Sequence, residues 1–313
     1  FNYSVFLKKK EMNTFSIAIH GGAGTLVKGT MTTELEDQYK AALKEALDAG
    51  YSVLENGGTS VDAVEKAVVV LEDSHLFNAG KGAVFTADET HEMDASIMNG
   101  KNLNAGAVSL ISGIKNPISL ACEVMEKSEH VFLAGEGAMQ FAKMNNFAIE
   151  PASYFYDDFR HKQWLEIKDT DSFQLDHAKK KGSKFGTVGA VACDSDGNIA
   201  AATSTGGMTN KRFGRIGDSP VIGAGNYANN KTCAISCTGS GEFFIRGVVA
   251  YDVACLIEHK EMSLLEAANE VIHKRILEIG GDGGLIAVDA KGNIAMPFNT
   301  EGMYRATKSS NGK

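Results

Sequence analysis

Gly186-Thr187-Val188-Gly189-Ala190-Val191-Ala192-Cys193 is the stretch from which the rest of this chain is read. A glycine meets a threonine that opens a run of small and apolar residues, the pattern of a strand buried on both faces. Asp196-Gly197 follows as a tight-turn signal. A two-residue turn there pairs Ser195 with Asn198. Counting back sets Thr187 opposite Gly206 and Val188 opposite Thr205, so Thr187 and Thr205 lie side by side. A lone threonine at a strand edge is ordinarily a capping or packing residue. Upstream, however, 157–184 is polar and carries Asp169, Asp171, His177 and Lys179-Lys180-Lys181, which reads as a flexible linker. Cutting the chain where that linker meets a buried strand would free the Thr187 amine, whose pKa of roughly 7.7 to 8.0 leaves part of it neutral near pH 7. A hydroxyl with its own amine as base is the minimum kit for acyl transfer.

The bulk properties narrow the field. With 313 residues, 43% of them hydrophobic, and 34 glycines, the chain has the make-up of a globular protein rich in turns, and disorder is excluded as its dominant state. A net charge of −8 argues against nucleic acid or an anionic membrane as partner. No stretch offers the roughly 18 uninterrupted apolar residues of a membrane span, so a soluble, cytoplasmic protein is expected. Cys122, Cys193, Cys233, Cys237 and Cys255 are odd in number and lie mostly in apolar segments, reading as small core residues. Cys233 and Cys237 on one strand face would stand about 13 Å apart, too far to share a metal. Residues 1–11 place Lys8-Lys9-Lys10 after a short apolar piece, unlike a signal peptide. They are expected to be non-native or disordered, with Met12 as the native start.

Working outward, 15–20 alternates as a strand and runs into Gly21-Gly22-Ala23-Gly24, which lacks the lysine of a phosphate loop and reads as a structural turn. Thr33 with Glu36 and Thr59 with Asp62 are capping patterns that open two amphipathic helices around Gly57-Gly58. Between them and the next strand, Glu89, Glu92 and Asp94 read as solvated or backbone-bonding loop carboxylates. Strands are expected at 107–112, 221–227 and 232–237. Helices are expected at 117–127, after Gly241-Glu242, and behind a Ser263/Glu266 cap. The text of 189–200 recurs in 284–295, two hairpins of one design. Paired helices and antiparallel hairpins predict one domain, 12–313, of α/β (α+β) class. Its architecture is a four-layer αββα sandwich with two mainly antiparallel sheets.

Two further constellations carry chemistry. Arg215 and Asp218, on a glycine-bearing loop, offer a cation for a carboxylate and an anion for an ammonium, or else form a plain surface ion pair. Thr238-Gly239, before a helix start, offers a hydroxyl and a backbone N–H for an oxyanion. Four motifs then occur in one order: Gly186-Thr187-Val188-Gly189, Thr203-Ser204-Thr205-Gly206-Gly207-Met208, Arg215-Ile216-Gly217-Asp218 and Thr238-Gly239-Ser240-Gly241. On these motifs the chain resembles the plant-type L-asparaginase or isoaspartyl peptidase family of N-terminal-nucleophile hydrolases, over nearly everything from Phe15 to Arg305.

The resemblance implies an Ntn-hydrolase sandwich and a zymogen that cuts itself between Gly186 and Thr187. It implies hydrolysis of β-aspartyl dipeptides and L-asparagine, with release of L-aspartate. Thr187 would be the nucleophile, with Thr205 beside it and Asn78 engaged in self-cleavage. Arg215 and Asp218 would bind the substrate's α-carboxylate and α-amino group, with Ile216 and Gly217 between them. Thr238 and Gly239 would face the oxyanion, and Ser240 and Gly241 would line the approach of the bound amino acid. A homodimer of cleaved protomers is also implied, with no organic cofactor. A sodium ion would be held largely by backbone carbonyls in the loop of Leu71, Glu72, Ser74, Phe77, Ala79 and Lys81. Lys81 is a departure, charged where relatives often carry an apolar residue. Glycosylasparaginase activity is an alternative, although that branch typically has aspartate in the place of Gly186. A non-catalytic relative that stays uncleaved and binds an amino acid is another.

Overall fold

The structure is a computed structural model and describes residues 14–24, 31–169 and 186–312. The strands in its first half are β1 (Ser16–Gly24), β2 (Met93–Asn99), β3 (Ala105–Ile111) and β4 (Phe132–Ala134). Those that follow are β5 (Val188–Cys193), β6 (Ile199–Thr205), β7 (Asn226–Ala228), β8 (Ala234–Gly239), β9 (Gly283–Val288), β10 (Ile294–Ala295) and β11 (Gly302–Ser309). The helices begin with α1 (Thr33–Glu55), α2 (Ser60–Glu72), α3 (Pro117–Lys127), α4 (Gly135–Met144), α5 (Ala152–Phe155) and α6 (Asp158–Leu165). After the β7–β8 hairpin come α7 (Gly241–Gly247), α8 (Val249–Lys260) and α9 (Leu264–Glu270).

β11-β1-β5-β6-β2-β3-β4 form a seven-stranded sheet and β10-β9-β8-β7 a four-stranded one. Among the paired strands of the described residues, only β3–β4 is parallel. Successive β1 side chains serve different layers, as a period of two requires. Ile17 and Ile19 pack with Leu54, Val64 and Val68 of α1 and α2, while Ala18 faces Val191, Ala234 and Val288 between the sheets. On the far side of the small sheet, Cys237 and Leu285 meet Val253 of α8 and Ala267 of α9. The result is the expected αββα sandwich, and strands covered on both faces are why the sequence reads as unbroken apolar runs.

The β5–β6 hairpin departs by one residue from a two-residue turn. Cys193 pairs with Ile199 and Val188 with Ser204, so the connection runs 194–198. The Asp194 carboxylate organises it: Oδ1 accepts the N–H groups of Asp196 at 3.0 Å and Asn198 at 2.9 Å, and Oδ2 accepts that of Ser60, at the start of α2, at 3.2 Å. An aspartate bonding its own following backbone fixes a longer loop than Asp-Gly alone suggests. Continuing the observed register sets Thr187 opposite Thr205 rather than Gly206. The sequence echo is a structural one, since Asp289 Oδ1 accepts from Lys291 N at 2.9 Å and Asn293 N at 3.0 Å.

Other elements differ locally from expectation. Gly21-Gly22-Ala23-Gly24 continues β1, with a bulge between His20 and Gly22. Thr32 caps α1, one residue before Thr33, while Thr59/Asp62 and Ser263/Glu266 form the expected capping boxes. Of the strand expected at 221–227 only Asn226 and Tyr227 belong to β7, because 221–225 is a turn closed by Gly225 N–H on Val221 O at 3.1 Å. The expected linker 157–184 begins as helix α6, anchored by buried Arg160 and by Trp164 stacked on His161. The rest of that linker beyond 169, and residues 1–11, lie outside the described residues. Asp94 is no loop residue: it sits fully buried in β2 and accepts the Leu110 N–H at 3.0 Å. No helix among the described residues is long and apolar enough to cross a membrane.

Candidate active site

Gly186 and Thr187 lie at the mouth of β5, between β1 and β8. A Cβ added to Gly22 would stand 2.6 Å from the Gly186 nitrogen, and one added to Gly186 would stand 3.0 Å from Thr238 Oγ1. Glycine at both positions is what lets the two backbones and the Thr238 hydroxyl converge on the Gly186–Thr187 bond. Thr238 Oγ1 accepts the Ala23 N–H at 3.1 Å, which leaves its own proton to donate toward that bond.

Thr187 is buried and held from two sides. Its Oγ1 is 3.2 Å from Ser219 Oγ, on the loop between β6 and β7, and its carbonyl is 3.1 Å from His20 Nδ1. Burial pushes the His20 pKa down to about 3 against the opposing effect of that carbonyl, so the ring is neutral. A carbonyl can only accept, so Nδ1 carries the proton and Nε2 accepts from Ser236 Oγ at 2.9 Å. Ser236 then accepts from Thr203 Oγ1 at 2.7 Å, which accepts from Asn226 Nδ2 at 3.1 Å. This directional chain crosses β7, β6, β8 and β1 and ends on the nucleophile's backbone.

Asn78 serves the turn after β6. Its Nδ2 donates to Gly207 O at 2.7 Å, its Oδ1 accepts the Val84 N–H at 3.1 Å, and its carbonyl accepts the Gly206 N–H at 3.0 Å. Thr205 Oγ1 accepts the Gly207 N–H at 3.0 Å. Thr187, Thr205 and Asn78 thus belong to one assembly, in which Asn78 shapes the backbone behind Thr205.

The second half of the site gathers around Gly241. A Cβ there would be 2.9 Å from Arg215 Nη2 and 2.9 Å from Asp218 Oδ1, and one on Gly217 would be 2.8 Å from Arg215 Nη1. Ile216 and Gly217 separate Arg215 from Asp218 along the loop, and both charged side chains approach Gly241. Burial raises the Asp218 pKa to about 7 despite the nearby guanidinium, and its Oδ2 has no hydrogen-bond partner among the described residues. Arg215 is gripped by Glu242, which accepts from Nε at 2.8 Å and Nη2 at 2.9 Å. Ser240 turns its hydroxyl to Asp282 Oδ1, and Gly239 ends β8 opposite Gly283. Sequence reasoning did not single out His20, Ser219, Ser236, Asn226 or Glu242 for the site. Ser219 and Glu242 adjoin residues that it did name, which was the available signal; the other three are polar residues in apolar strands.

The loop after α2 is held by its own backbone hydrogen bonds. The carbonyls of Phe77 and Ala79 accept the backbone N–H groups of Ala79 at 2.9 Å and Gly82 at 3.1 Å, and that of Leu71 accepts those of Asp73 and, at 3.3 Å, Ser74. Lys81 holds its ammonium over the Tyr154 ring, 5.5 Å from the centroid. Glu72, fully buried, ties this loop to β6 by accepting from Ser204 Oγ at 2.6 Å and from Ile118 N at 3.0 Å.

Residues 13–313 match the family model described as asparaginase. The chain belongs to the asparaginase family. Among its asparaginase-family relatives is an isoaspartyl peptidase of Escherichia coli (strain K12), 50% identical over 93% of this chain and 91% of the relative. An isoaspartyl peptidase/L-asparaginase of Xenopus laevis is 43% identical over 92% of this chain and 90% of its own. A plant-type L-asparaginase of Pyrococcus horikoshii is 43% identical over 93% of this chain and 95% of its own. The family read from the four motifs is therefore the family to which this asparaginase-type chain is matched along nearly its whole length.

Proposed function

We propose that this protein is a self-processing threonine hydrolase that cleaves β-aspartyl dipeptides and L-asparagine and releases L-aspartate. The observation that carries the reading is the Gly186–Thr187 bond, pressed between Gly22 and Thr238 with the Thr187 hydroxyl in the same buried site. In maturation, Thr187 Oγ attacks the Gly186 carbonyl carbon, the peptide nitrogen leaves as the Thr187 amine, and water opens the resulting ester. In turnover, that amine takes the hydroxyl proton as Oγ attacks the substrate's β-carbonyl. Thr238 and the Gly239 N–H steady the oxyanion. The leaving amine departs with a proton, and water releases aspartate from Oγ. Arg215 holds the α-carboxylate and Asp218 the α-ammonium.

A sodium ion on the carbonyls of the Leu71 to Lys81 loop would brace the turn that carries Asn78. A homodimer of cleaved protomers in the cytoplasm completes the reading. Free, buried Cys122, Cys193, Cys233 and Cys237 suit that reducing compartment.

Intact-mass analysis and a denaturing gel test it. Wild type should yield two fragments, the second beginning at Thr187, while Thr187→Ala stays one chain. The cleaved protein should release aspartate from β-aspartyl-leucine and from L-asparagine. A wild type that stays whole on prolonged incubation and binds an amino acid without turnover would make it a sensor. Preference for a glycosylated asparagine would make it a glycosylasparaginase.

A further inference from the structure

Asp94 is a fully buried acid that the proposed chemistry leaves unused, and the large sheet sets it in line with the nucleophile. It pairs with Thr205 across β2 and β6. Residues directly opposite in an antiparallel pair point their side chains to one face, with Cβ atoms about 4.5 to 5.5 Å apart. The β5–β6 register continues the row to Thr187, so Asp94, Thr205 and Thr187 follow one another on the same face of adjacent strands. Ser96, two residues along that face, donates to the carbonyl of Ser219, whose hydroxyl meets Thr187. On the other flank, β3 sets Ser109 and Leu110 against Asp94 alone, a bulge of the kind that re-aims side chains beside active sites.

The Asp94 carboxylate keeps capacity to spare. Oδ1 accepts the N–H of Leu110, a residue at φ +54°, while Oδ2 completes no hydrogen bond among the described residues. Thr205 offers what that oxygen lacks: its Oγ1 accepts the Gly207 N–H at 3.0 Å, which leaves its own proton to donate. Burial raises the Asp94 pKa, and the Lys211 charge, the Leu110 N–H and the nearby Ser109 hydroxyl act against it. The Lys211 side chain is itself buried, with its ammonium 3.4 Å from Glu92 Oε2. It passes beneath the turn after Thr205, where a Cβ on Gly207 would come within 3.1 Å of Lys211 Cδ and 3.3 Å of its Nζ. The Lys211 carbonyl accepts the Ala87 N–H at 3.0 Å, which anchors the chain from which that side chain springs.

We infer that Asp94 is a positioning residue for the reaction: with Lys211 as its counter-ion, it orients the Thr205 hydroxyl and fixes the Gly206–Gly207 turn against which Thr187 works. The inference rests on the threonine-hydrolase reading and deepens it. A carboxylate facing a hydroxyl across one step of a β-ladder turns that O–H dipole toward itself, so the lone pairs of Thr205 Oγ1 are directed away from Asp94. The ammonium supports the same turn from below, and Asn78 holds it from the side by donating to the Gly207 carbonyl at 2.7 Å. Asp94 acts through Thr205 and touches no reacting atom, and the clamp of Arg215 and Asp218 is a separate assembly. Its loss should therefore slow bond making and leave substrate affinity nearly unchanged, for every substrate alike.

The test compares Asp94→Asn, Lys211→Met, their double variant and Lys211→Arg with wild type. Fragment formation is followed on denaturing gels, and kcat and KM are measured on cleaved protein for L-asparagine and β-aspartyl-leucine. Asp94→Asn keeps the shape and removes the charge. It should slow fragment formation and lower kcat for both substrates by about 10- to 100-fold, the scale of a small misplacement near the chemistry, with KM within about twofold of wild type. Lys211→Met should do the same, the double variant should be no slower than the slower single, and Lys211→Arg should recover most of the rate. Wild-type rates in a folded Asp94→Asn overturn the inference, as does a raised KM with kcat unchanged, which would place Asp94 with the clamp. Effects of the two single changes that multiply in the double variant overturn the pairing. If Asp94→Asn fails to fold, the two Lys211 variants decide: equal rates in Lys211→Met and Lys211→Arg overturn the role of the charge. These outcomes leave the proposed function standing, whereas a wild type that neither cleaves nor hydrolyses either substrate removes both.

Discussion

Gly22 and Gly186 lie back to back, so close that a side chain on Gly22 would meet the Gly186 backbone nitrogen at 2.6 Å. Gly22 is at the β1 bulge with φ +112°, a conformation that residues with a Cβ rarely adopt. Gly22→Ala therefore combines a collision with backbone strain of about 1 to 3 kcal/mol. Fragment formation should slow by about 10- to 100-fold, while circular dichroism shows a folded protein. Wild-type processing in this variant would mean that the contact does not hold the bond.

Arg215→Ala should impair L-asparagine and β-aspartyl dipeptides alike. Removing the cation leaves the substrate's α-carboxylate unmatched in the site, at about 2 to 5 kcal/mol, so kcat/KM should fall by at least about 30-fold. N-acetyl-asparagine, which has no ammonium for Asp218, should be a poor substrate for the cleaved wild type. Were the N-acetyl compound hydrolysed as well as asparagine, the ammonium half of the clamp would be wrong; wild-type kinetics in Arg215→Ala would remove the carboxylate half.

Glu72 gives stability a pH dependence of known sign. Burial raises its pKa from 4.5 to about 8, above the unfolded value, so between these limits the folded state holds a proton that the unfolded chain has lost. Stability should consequently fall as pH rises through that window, by up to roughly 1.4 kcal/mol per pH unit from this group alone. Glu72→Gln abolishes the titration. Urea unfolding from pH 5 to pH 9 in the single-chain Thr187→Ala background should show the Gln variant gaining on its parent up to about pH 8. Parallel curves for the two proteins would assign the pH dependence elsewhere.

Asp194 joins the nucleophile hairpin to α2, with acceptor bonds to Asp196, Asn198 and Ser60. Asp194→Ala strands these backbone donors in a mostly buried corner and should cost at least about 2 kcal/mol, measured by urea unfolding in the same background. Asp194→Asn keeps an acceptor oxygen and should recover part of the loss. An alanine variant as stable as its parent would show the turn to be set by Gly197 alone.

How much was legible depended on the range of the physics involved. Capping at Thr59 and Ser263 is decided by residues three apart, and both boxes form as read. The hairpin register slipped by one because Asp194 bonds across its own turn, an option that Asp196-Gly197 masks. Trp164 shows the same limit: a polar stretch reads as linker until a single aromatic finds Phe85 and His161 to pack against. At the site, Thr187, Arg215, Asp218 and Thr238 stand in motifs that the sequence displays. His20 and Ser236 do not, since each is one polar residue in an apolar strand, and their partnership spans 216 positions.

By itself the sequence determined the layers, the order of the chemical motifs and the residue types available for acyl transfer, because periodicity, caps and motif spacing are local and survive without the fold. The tertiary structure decided what these groups touch. It set Gly22 against Gly186, gave His20 its neutral ring and its direction, placed Glu242 on Arg215, and buried the Lys211 ammonium beside Glu92. Those outcomes depend on close approach and desolvation between distant segments, which arise only when the two sheets pack.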